Sequence, residues 1–172
     1  EIYTLSLHDA LPIFMSRTEL EKSLDFRLAK RNLLITFHPV TLEQSTCRDQ
    51  MENLLKALEE LKDVGLIFTM PNADTDSRIL FKQIDEFCQS HPMARAYTSL
   101  GQLRYLSCIK HVDGVIGNSS SGIIEAPAFK TFTINIGNRQ NGREQSKSIF
   151  NCNYDQKKFI RILKYIHKLK KK

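Results

Sequence analysis

The stretch GVIGNSSSGIIEAPAFKTFTINI (residues 114–136) indicates the fold class most directly. It opens with an apolar run (114–118), turns through three serines flanked by glycines, continues as a short helical pattern (122–128) and ends in a second apolar run (132–136). Two buried strands joined by a helix form a β-α-β unit, in which the strands must run parallel. The sequence therefore predicts an α/β domain built on a parallel sheet.

The same alternation extends in both directions along the chain. Further strands are predicted at NLLITF (32–37), VGLIFTM (64–70), 94–98 and, more weakly, SIFNC (148–152). Helical patterns are predicted at 41–62, 78–90, 101–110 and 157–172, and residues 16–31 are predicted to be a helical or linker segment before the first strand. Repeated strand–helix units with apolar strands predict a doubly wound, Rossmann-like parallel sheet covered on both faces.

The net charge of +6 reflects the C-terminal tail of the chain. Of the 25 basic residues, eight lie between Lys157 and Lys172, where there is no acidic residue; the other 17 stand against 19 acidic residues, so residues 1–156 carry −2. We interpret the tail as an amphipathic helix whose apolar side faces the body of the domain, and we expect no nucleic-acid partner. No apolar run approaches the roughly 20 residues that span a bilayer, so no membrane partner is expected.

Four cysteines stand at 47, 88, 108 and 152, and no pair has C-x-x-C spacing. This pattern predicts free thiols and a cytoplasmic protein. Residues 1–14 (EIYTLSLHDALPIF) have no positively charged start and no small-residue cleavage site, so they do not form a secretory signal. We interpret residues 1–14 as a non-native leader and residues 15–172 as one domain.

Ligands of doubly wound sheets bind beyond the carboxyl ends of the strands. Polar residues cluster at that edge of the predicted sheet, directly after each strand: His38, Asn72, Asp74, Ser99, residues 118–121 and Arg139. This clustering makes one edge of the sheet the candidate functional site.

The segment GNSSSGIIEAP (117–127) carries the strongest chemical signal. Glycines let the backbone approach a phosphate, the N–H groups at a helix start carry partial positive charge, and Ser119 and Ser120 add hydroxyl donors. Glu125, expected in the first turn of a helix that begins near Gly122, could accept hydrogen bonds from both ribose hydroxyls. An ordinary serine-capped turn explains the same residues equally well. The segment lacks the Walker and the G-x-G-x-x-G patterns.

The remaining candidates are weaker individually. His38 at a strand end could contact a diphosphate or transfer a proton, or could be a hydrogen-bonded structural residue. PNADTDSR (71–78), with Asn72 and Asp74, lacks the glycine and distal glutamate of a calcium loop and is also typical of a turn with a helix cap. Arg139 could bind phosphate.

Four segments taken together resemble the C-terminal domain of UDP-N-acetylglucosamine 2-epimerases: ITFHPVTLEQS, GLIFTMPNADTDSRI, SLGQLRYLS and GNSSSGIIEAPAFKTFTINIGNRQNGRE. The resemblance implies one half of a two-domain architecture shared with glycosyltransferases of the B type, in which two Rossmann-like domains face each other across a cleft. The second domain holds UDP. The family's N-terminal domain, which supplies Asp and Glu residues for acid–base work, is not among these residues.

The resemblance also implies roles for individual residues. His38 would lie in the catalytic cleft, Ser119 and Ser120 would bind the diphosphate, and Glu125 would bind the ribose. The rest of the UDP site would consist of Asn72 and Asp74 along the nucleotide pocket, Ser99 and Leu100 near the uracil, and Arg139 at the phosphates.

The FHPVT segment resembles the hydrolysing branch of the family, which makes N-acetylmannosamine for sialic acid synthesis. The implied reaction is loss of UDP with removal of the proton at sugar carbon 2, followed by addition of water, with no metal or other cofactor. The full-length form would be a homo-oligomer, and the present chain alone is expected to be inactive. A glycosyltransferase half-domain and a non-catalytic UDP-sugar-binding module are the alternatives.

Overall fold

The computed structural model describes residues 14–39, 44–70, 77–153 and 155–169. The described residues form six strands and six helices, which alternate along the chain except that the last two strands follow one another directly. The strands are β1 (Arg31–Thr36), β2 (Val64–Thr69), β3 (Ala94–Tyr97), β4 (Gly114–Gly117), β5 (Phe132–Ile136) and β6 (Ile149–Cys152). The helices are α1 (Arg17–Leu24), α2 (Gln44–Glu59), α3 (Ser77–Ser90), α4 (Gly101–His111), α5 (Ser120–Ala128) and α6 (Gln156–Leu169).

The six strands form one sheet in the order β3-β2-β1-β4-β5-β6, and every described pair is parallel. Successive strands move outward from β1 to β3, and the chain then returns to pair β4 with the other side of β1. The predicted doubly wound, Rossmann-like sheet is confirmed. The order reverses between β1 and β4, and their carboxyl ends therefore define the crevice where such folds bind ligands.

Helices cover both faces of the sheet, and side chains of β1 pack alternately into the two layers. Leu33 and Ile35 join a core with α2, α3 and α6, whereas Leu34 joins a second core with α1, α4 and α5. Because the central strands are buried on both sides, their sequences are almost continuously apolar, as parallel strands require.

The N-terminal helix forms because residues 16–19 make a capping box. The Ser16 hydroxyl accepts from the Glu19 amide, and the Glu19 carboxylate accepts from the Ser16 amide. This helix replaces the unspecified helical or linker segment predicted from sequence. Just before it, the ring of Phe14 packs edge-on against Phe129 with 5.1 Å between centroids.

The C-terminal helix α6 packs its apolar side on the domain, as predicted. Phe159 and Leu163 are buried in the first core, and Ile160 packs against it. Within the described residues, no helix combines the length and hydropathy needed to cross a membrane. None of the four cysteines, all of which lie in the described residues, forms a disulfide bond.

Candidate functional site

A groove of about 370 Å³ opens at the carboxyl ends of β1, β2 and β4. That volume lies within the range of small-molecule sites. Its lining is rich in hydroxyl groups and includes five residues singled out from the sequence, namely His38, Ser99, Leu100, Ser119 and Ser121. The lining residues are Thr36, His38, Thr69, Met70, Thr98, Ser99, Leu100, Gly101, Gln102, Tyr105, Ser119 and Ser121.

Asn118 ties the end of β1 to the end of β4. Its side-chain oxygen accepts from the His38 amide at 2.8 Å, and its side-chain nitrogen donates to the His38 carbonyl at 2.7 Å. The Asn118 side chain is fully buried, and its carbonyl accepts from Gln140 at 2.8 Å and from Arg139 at 3.3 Å. The side-chain amide of Asn118 therefore binds both the N–H and the C=O group of His38 and holds its backbone beside the groove.

Gly117 lets the two strands come this close together. Its φ is +141°, and a Cβ at this position would lie 1.8 Å from the carbonyl oxygen of Thr36. Any side chain would push β4 away from β1, so the contact between Asn118 and His38 depends on this glycine.

The serine turn starts α5 two residues earlier than the sequence predicted. Ser119 is the N-cap, and its hydroxyl accepts from the Ser121 amide at 3.4 Å. Helix α5 accordingly begins at Ser120, not near Gly122. The turn is thus a capped helix start that also places the hydroxyls of Ser119 and Ser121 in the lining of the groove.

The earlier helix start moves Glu125 from the predicted first turn into the second turn of α5. Its side chain is half-buried and does not line the groove. Its Oε2 atom is buried with no hydrogen-bond partner among the described residues. Because a buried acceptor without a donor destabilises the folded state, this oxygen is a candidate for bonding to a ligand hydroxyl.

On the opposite side of the groove, Arg104 shapes the turn that leads into α4. Its guanidinium donates to the carbonyls of Leu100 at 2.8 Å and Ser99 at 3.3 Å. Leu100 is buried and is the N-cap of α4, with no side-chain cap bond. The Gly101 amide, the first of α4, donates instead to the exposed Ser99 hydroxyl at 3.3 Å.

The other predicted residues have different placements. Ser120 is the half-buried first residue of α5, and Arg139 is exposed on the loop after β5; neither lines the groove. Asn72 and Asp74 lie outside the described residues. Sequence reasoning missed Thr36, Thr69, Arg104 and Tyr105, since hydroxyls within strands and helices carry no motif.

The parallel sheet with a hydroxyl-rich groove at its switch point defines a Rossmann-like class of α/β domain. The sequence model of the UDP-N-acetylglucosamine 2-epimerase family matches residues 6–172. The chain belongs to that family.

Curated relatives agree with this assignment. The chain is 42% identical over 137 residues to the GDP/UDP-N,N'-diacetylbacillosamine 2-epimerase (hydrolyzing) of Campylobacter jejuni, covering 79% of the chain and 36% of the relative. It is 39% identical over 158 residues to the polysialic acid biosynthesis protein P7 of Escherichia coli, covering 91% of the chain and 39% of the relative. The chain thus spans less than half of either relative.

Solved structures share the fold. The UDP-GlcNAc 2-epimerase of Methanocaldococcus jannaschii aligns with a TM-score of 0.66 at 15% identity, over 86% of this chain and 44% of that one. The S. aureus MnaA–UDP co-structure aligns with a TM-score of 0.63 at 14% identity, over 90% and 40%. The C-terminal domain of a Francisella tularensis group 1 glycosyl transferase gives 0.60 at 11% identity, over 89% and 83%.

Proposed function

We propose that this chain is the UDP-binding half of a hydrolysing 2-epimerase that converts UDP-N-acetylglucosamine to N-acetylmannosamine and UDP. The observation that carries the proposal is the placement of His38 and the serine turn at one groove by Asn118. Relatives are named as hydrolysing 2-epimerases. The structures of the S. aureus and Neisseria meningitidis neighbours contain UDP and UDP-GlcNAc, respectively, which supports the choice of nucleotide.

In this proposal the diphosphate lies at the start of α5. Backbone amides there carry partial positive charge, and Ser119 and Ser120 supply hydroxyl donors. Arg139, whose guanidinium reaches the Asn118 carbonyl, adds positive charge on the same side. The three groups together would neutralise an anion at the switch point.

The nucleoside would extend from the phosphates along the domain. The unpartnered Oε2 of Glu125 would accept from the ribose hydroxyls. The turn formed by Ser99 and Leu100 would contact the uracil. Asn72 and Asp74, outside the described residues, would complete the nucleotide pocket.

The sugar would then lie beside His38. Departure of UDP breaks the bond from carbon 1 to the phosphate oxygen, and removal of the proton at carbon 2 leaves a double bond between the two carbons. Water restores a hydroxyl at carbon 1, and a proton returns to carbon 2 on the opposite face. His38 can serve one proton transfer, whereas the reaction needs groups on different faces of the sugar. We therefore assign the other groups to an N-terminal domain in a longer protein, and the chain alone is expected to be inactive.

A second substrate has specific support, because the Campylobacter jejuni relative is named for a diacetylbacillosamine nucleotide. That sugar differs in groups attached to the ring, which the UDP-binding half need not contact. Four cysteines without a disulfide among them support a cytoplasmic location for either activity.

The experiment is to incubate the full-length protein that contains this chain with UDP-N-acetylglucosamine and, separately, with UDP-N,N'-diacetylbacillosamine. We expect free N-acetylmannosamine from the first, and a His38→Ala variant about 100-fold slower, the scale of one acid–base group. Turnover of UDP-N,N'-diacetylbacillosamine alone would show that this nucleotide, and not UDP-N-acetylglucosamine, is the substrate. Transfer of the sugar to an acceptor without epimerisation would identify a glycosyltransferase, and UDP-sugar binding without turnover would identify a binding module.

A further inference from the structure

Five hydroxyl groups form a continuous hydrogen-bonded chain across the floor of the groove, which we call the hydroxyl chain. It starts at Thr69 on β2, whose hydroxyl donates to Thr36 Oγ1 on β1 at 2.9 Å. Thr36 Oγ1 lies 3.3 Å from the Tyr105 hydroxyl on α4, and Tyr105 is hydrogen-bonded to Ser121. The hydroxyl chain ends at the Ser119 hydroxyl, whose Oγ lies 3.1 Å from Ser121 Oγ.

Burial favours one direction for the hydrogens in this chain. Thr36 accepts from Thr69 and is only 6% exposed. If the hydrogens ran from Ser119 toward Thr36, the buried Thr36 hydrogen would have no acceptor among the described residues. A buried donor without an acceptor costs about 1–3 kcal/mol. In the opposite direction Thr36 donates to Tyr105, and the hydrogen left over belongs to a residue at the groove.

That remaining hydrogen is on Ser119. Its oxygen already accepts from the Ser121 amide and, in this direction, from the Ser121 hydroxyl. With both lone pairs occupied, Ser119 can only donate to a ligand, and the atom it faces must be an acceptor.

We infer that Tyr105, through Ser121, orients the Ser119 hydroxyl as a dedicated donor and so selects an anionic oxygen at the groove. Tyr105 is a positioning residue. The inference rests on the proposed UDP site, because that function supplies the diphosphate oxygen that Ser119 would recognise. On this inference, part of the preference for phosphate originates in Tyr105, which lies on α4 and not in the serine turn before α5.

The test compares affinities of the 172-residue chain for UDP and uridine by titration calorimetry. Tyr105→Phe removes the hydroxyl in the middle of the hydroxyl chain while keeping the ring. We expect UDP affinity to fall roughly three- to tenfold, the range of one neutral hydrogen bond, with uridine affinity unchanged. Thr36→Val should reduce the UDP-to-uridine ratio in the same direction, and Thr36→Ser, which keeps the hydroxyl, should restore it.

Tyr97→Phe is the matched control. The Tyr97 hydroxyl donates to the Leu24 carbonyl at 2.7 Å, and burial raises the pKa of Tyr97 to about 12. Its loss should lower thermal stability without changing the UDP-to-uridine ratio. A native preference for UDP that Tyr105→Phe retains, or equal loss of both ligands, would overturn the positioning role alone. Equal affinities in the native chain would overturn the diphosphate site itself and this inference with it.

Discussion

Two turns lead into helices at the same groove, and they are stabilised in different ways. The turn before α5 is capped by a side chain, since the Ser119 hydroxyl accepts from the Ser121 amide, and it is tied to β1 through Asn118. In the turn before α4 the N-cap residue Leu100 makes no side-chain cap bond; the exposed Ser99 hydroxyl accepts from the Gly101 amide, and the Arg104 guanidinium donates to the carbonyls of the turn. The turn before α5 is fixed by its own cap and by a bond to a second strand, whereas the turn before α4 is held mainly by one arginine.

The difference indicates a division of work within one site. Fixed hydroxyl donors beside a helix start suit a charged group whose position must be set, such as a phosphate. Backbone amides and carbonyls held in place suit a planar base, which is recognised by its edge. We therefore expect changes at the α5 turn to act on phosphate binding and changes at the α4 turn to act on nucleoside binding.

The largest effect is expected from Gly117→Ala, because the new Cβ would lie 1.8 Å from the Thr36 carbonyl oxygen. The unfolding free energy should fall by at least about 3 kcal/mol, beyond the range of most single substitutions. Urea denaturation measures this change. Gly142→Ala is the control: its φ is +82° but nothing lies within 4 Å, so only the left-handed conformation, about 1–2 kcal/mol, is penalised. Equal losses for the two variants would contradict the close approach of β4 to β1.

A smaller effect is expected for Glu125→Ala, a substitution that tests ribose binding separately from phosphate binding. Glu125→Ala should weaken UDP binding by about 1.5–3 kcal/mol, the contribution of hydrogen bonds to a charged group, and leave 2′,3′-dideoxy-UDP nearly unaffected. Because its buried Oε2 has no partner among the described residues, the unliganded chain should lose little stability. Titration calorimetry of both ligands checks the first claim, with exposed Glu144→Ala as control. If native and variant chains discriminate equally against the dideoxy ligand, the ribose assignment is wrong.

The smallest effects compare the two turns directly. Ser119→Ala removes the α5 cap and should cost about 1 kcal/mol of stability. Ser99→Ala removes an exposed hydroxyl that accepts from the Gly101 amide at 3.3 Å and should change stability by less than about 0.5 kcal/mol. Thermal denaturation of the two variants gives the comparison. A larger loss for Ser99→Ala would reverse our description of the turns.

The sequence predicted the sheet well because parallel strands buried on both faces are apolar throughout, and every predicted strand lies within one residue of its observed ends. Helix starts were harder to place. Helix α5 begins at Ser120 because Ser119, rather than a later serine, accepts the first free amide, and three consecutive serines give no way to choose among them. The hydrophobic pattern of the sequence therefore locates strands and helices more accurately than it locates the residues that cap the helices.

The site was predicted where a residue directly follows a strand and missed where it does not. His38 and Ser119 were identified by that rule. Tyr105 lies within α4, and its sequence pattern shows only an amphipathic helix. The role we propose for it depends on the approach of α4 to α5 on one face of the sheet, a contact between residues 16 positions apart that no local motif encodes. Arg104 was missed for a different reason: its bonds to Leu100 and Ser99 are local, but an arginine in a helix has no motif that predicts them.

We propose that the groove at the carboxyl ends of β1, β2 and β4 binds a nucleoside diphosphate. Titration calorimetry of the 172-residue chain with UDP and with uridine tests it most directly. A charge-assisted phosphate contact contributes about 1.5–3 kcal/mol, so UDP should bind at least about tenfold more tightly than uridine. Equal affinities for the two ligands would contradict the claim.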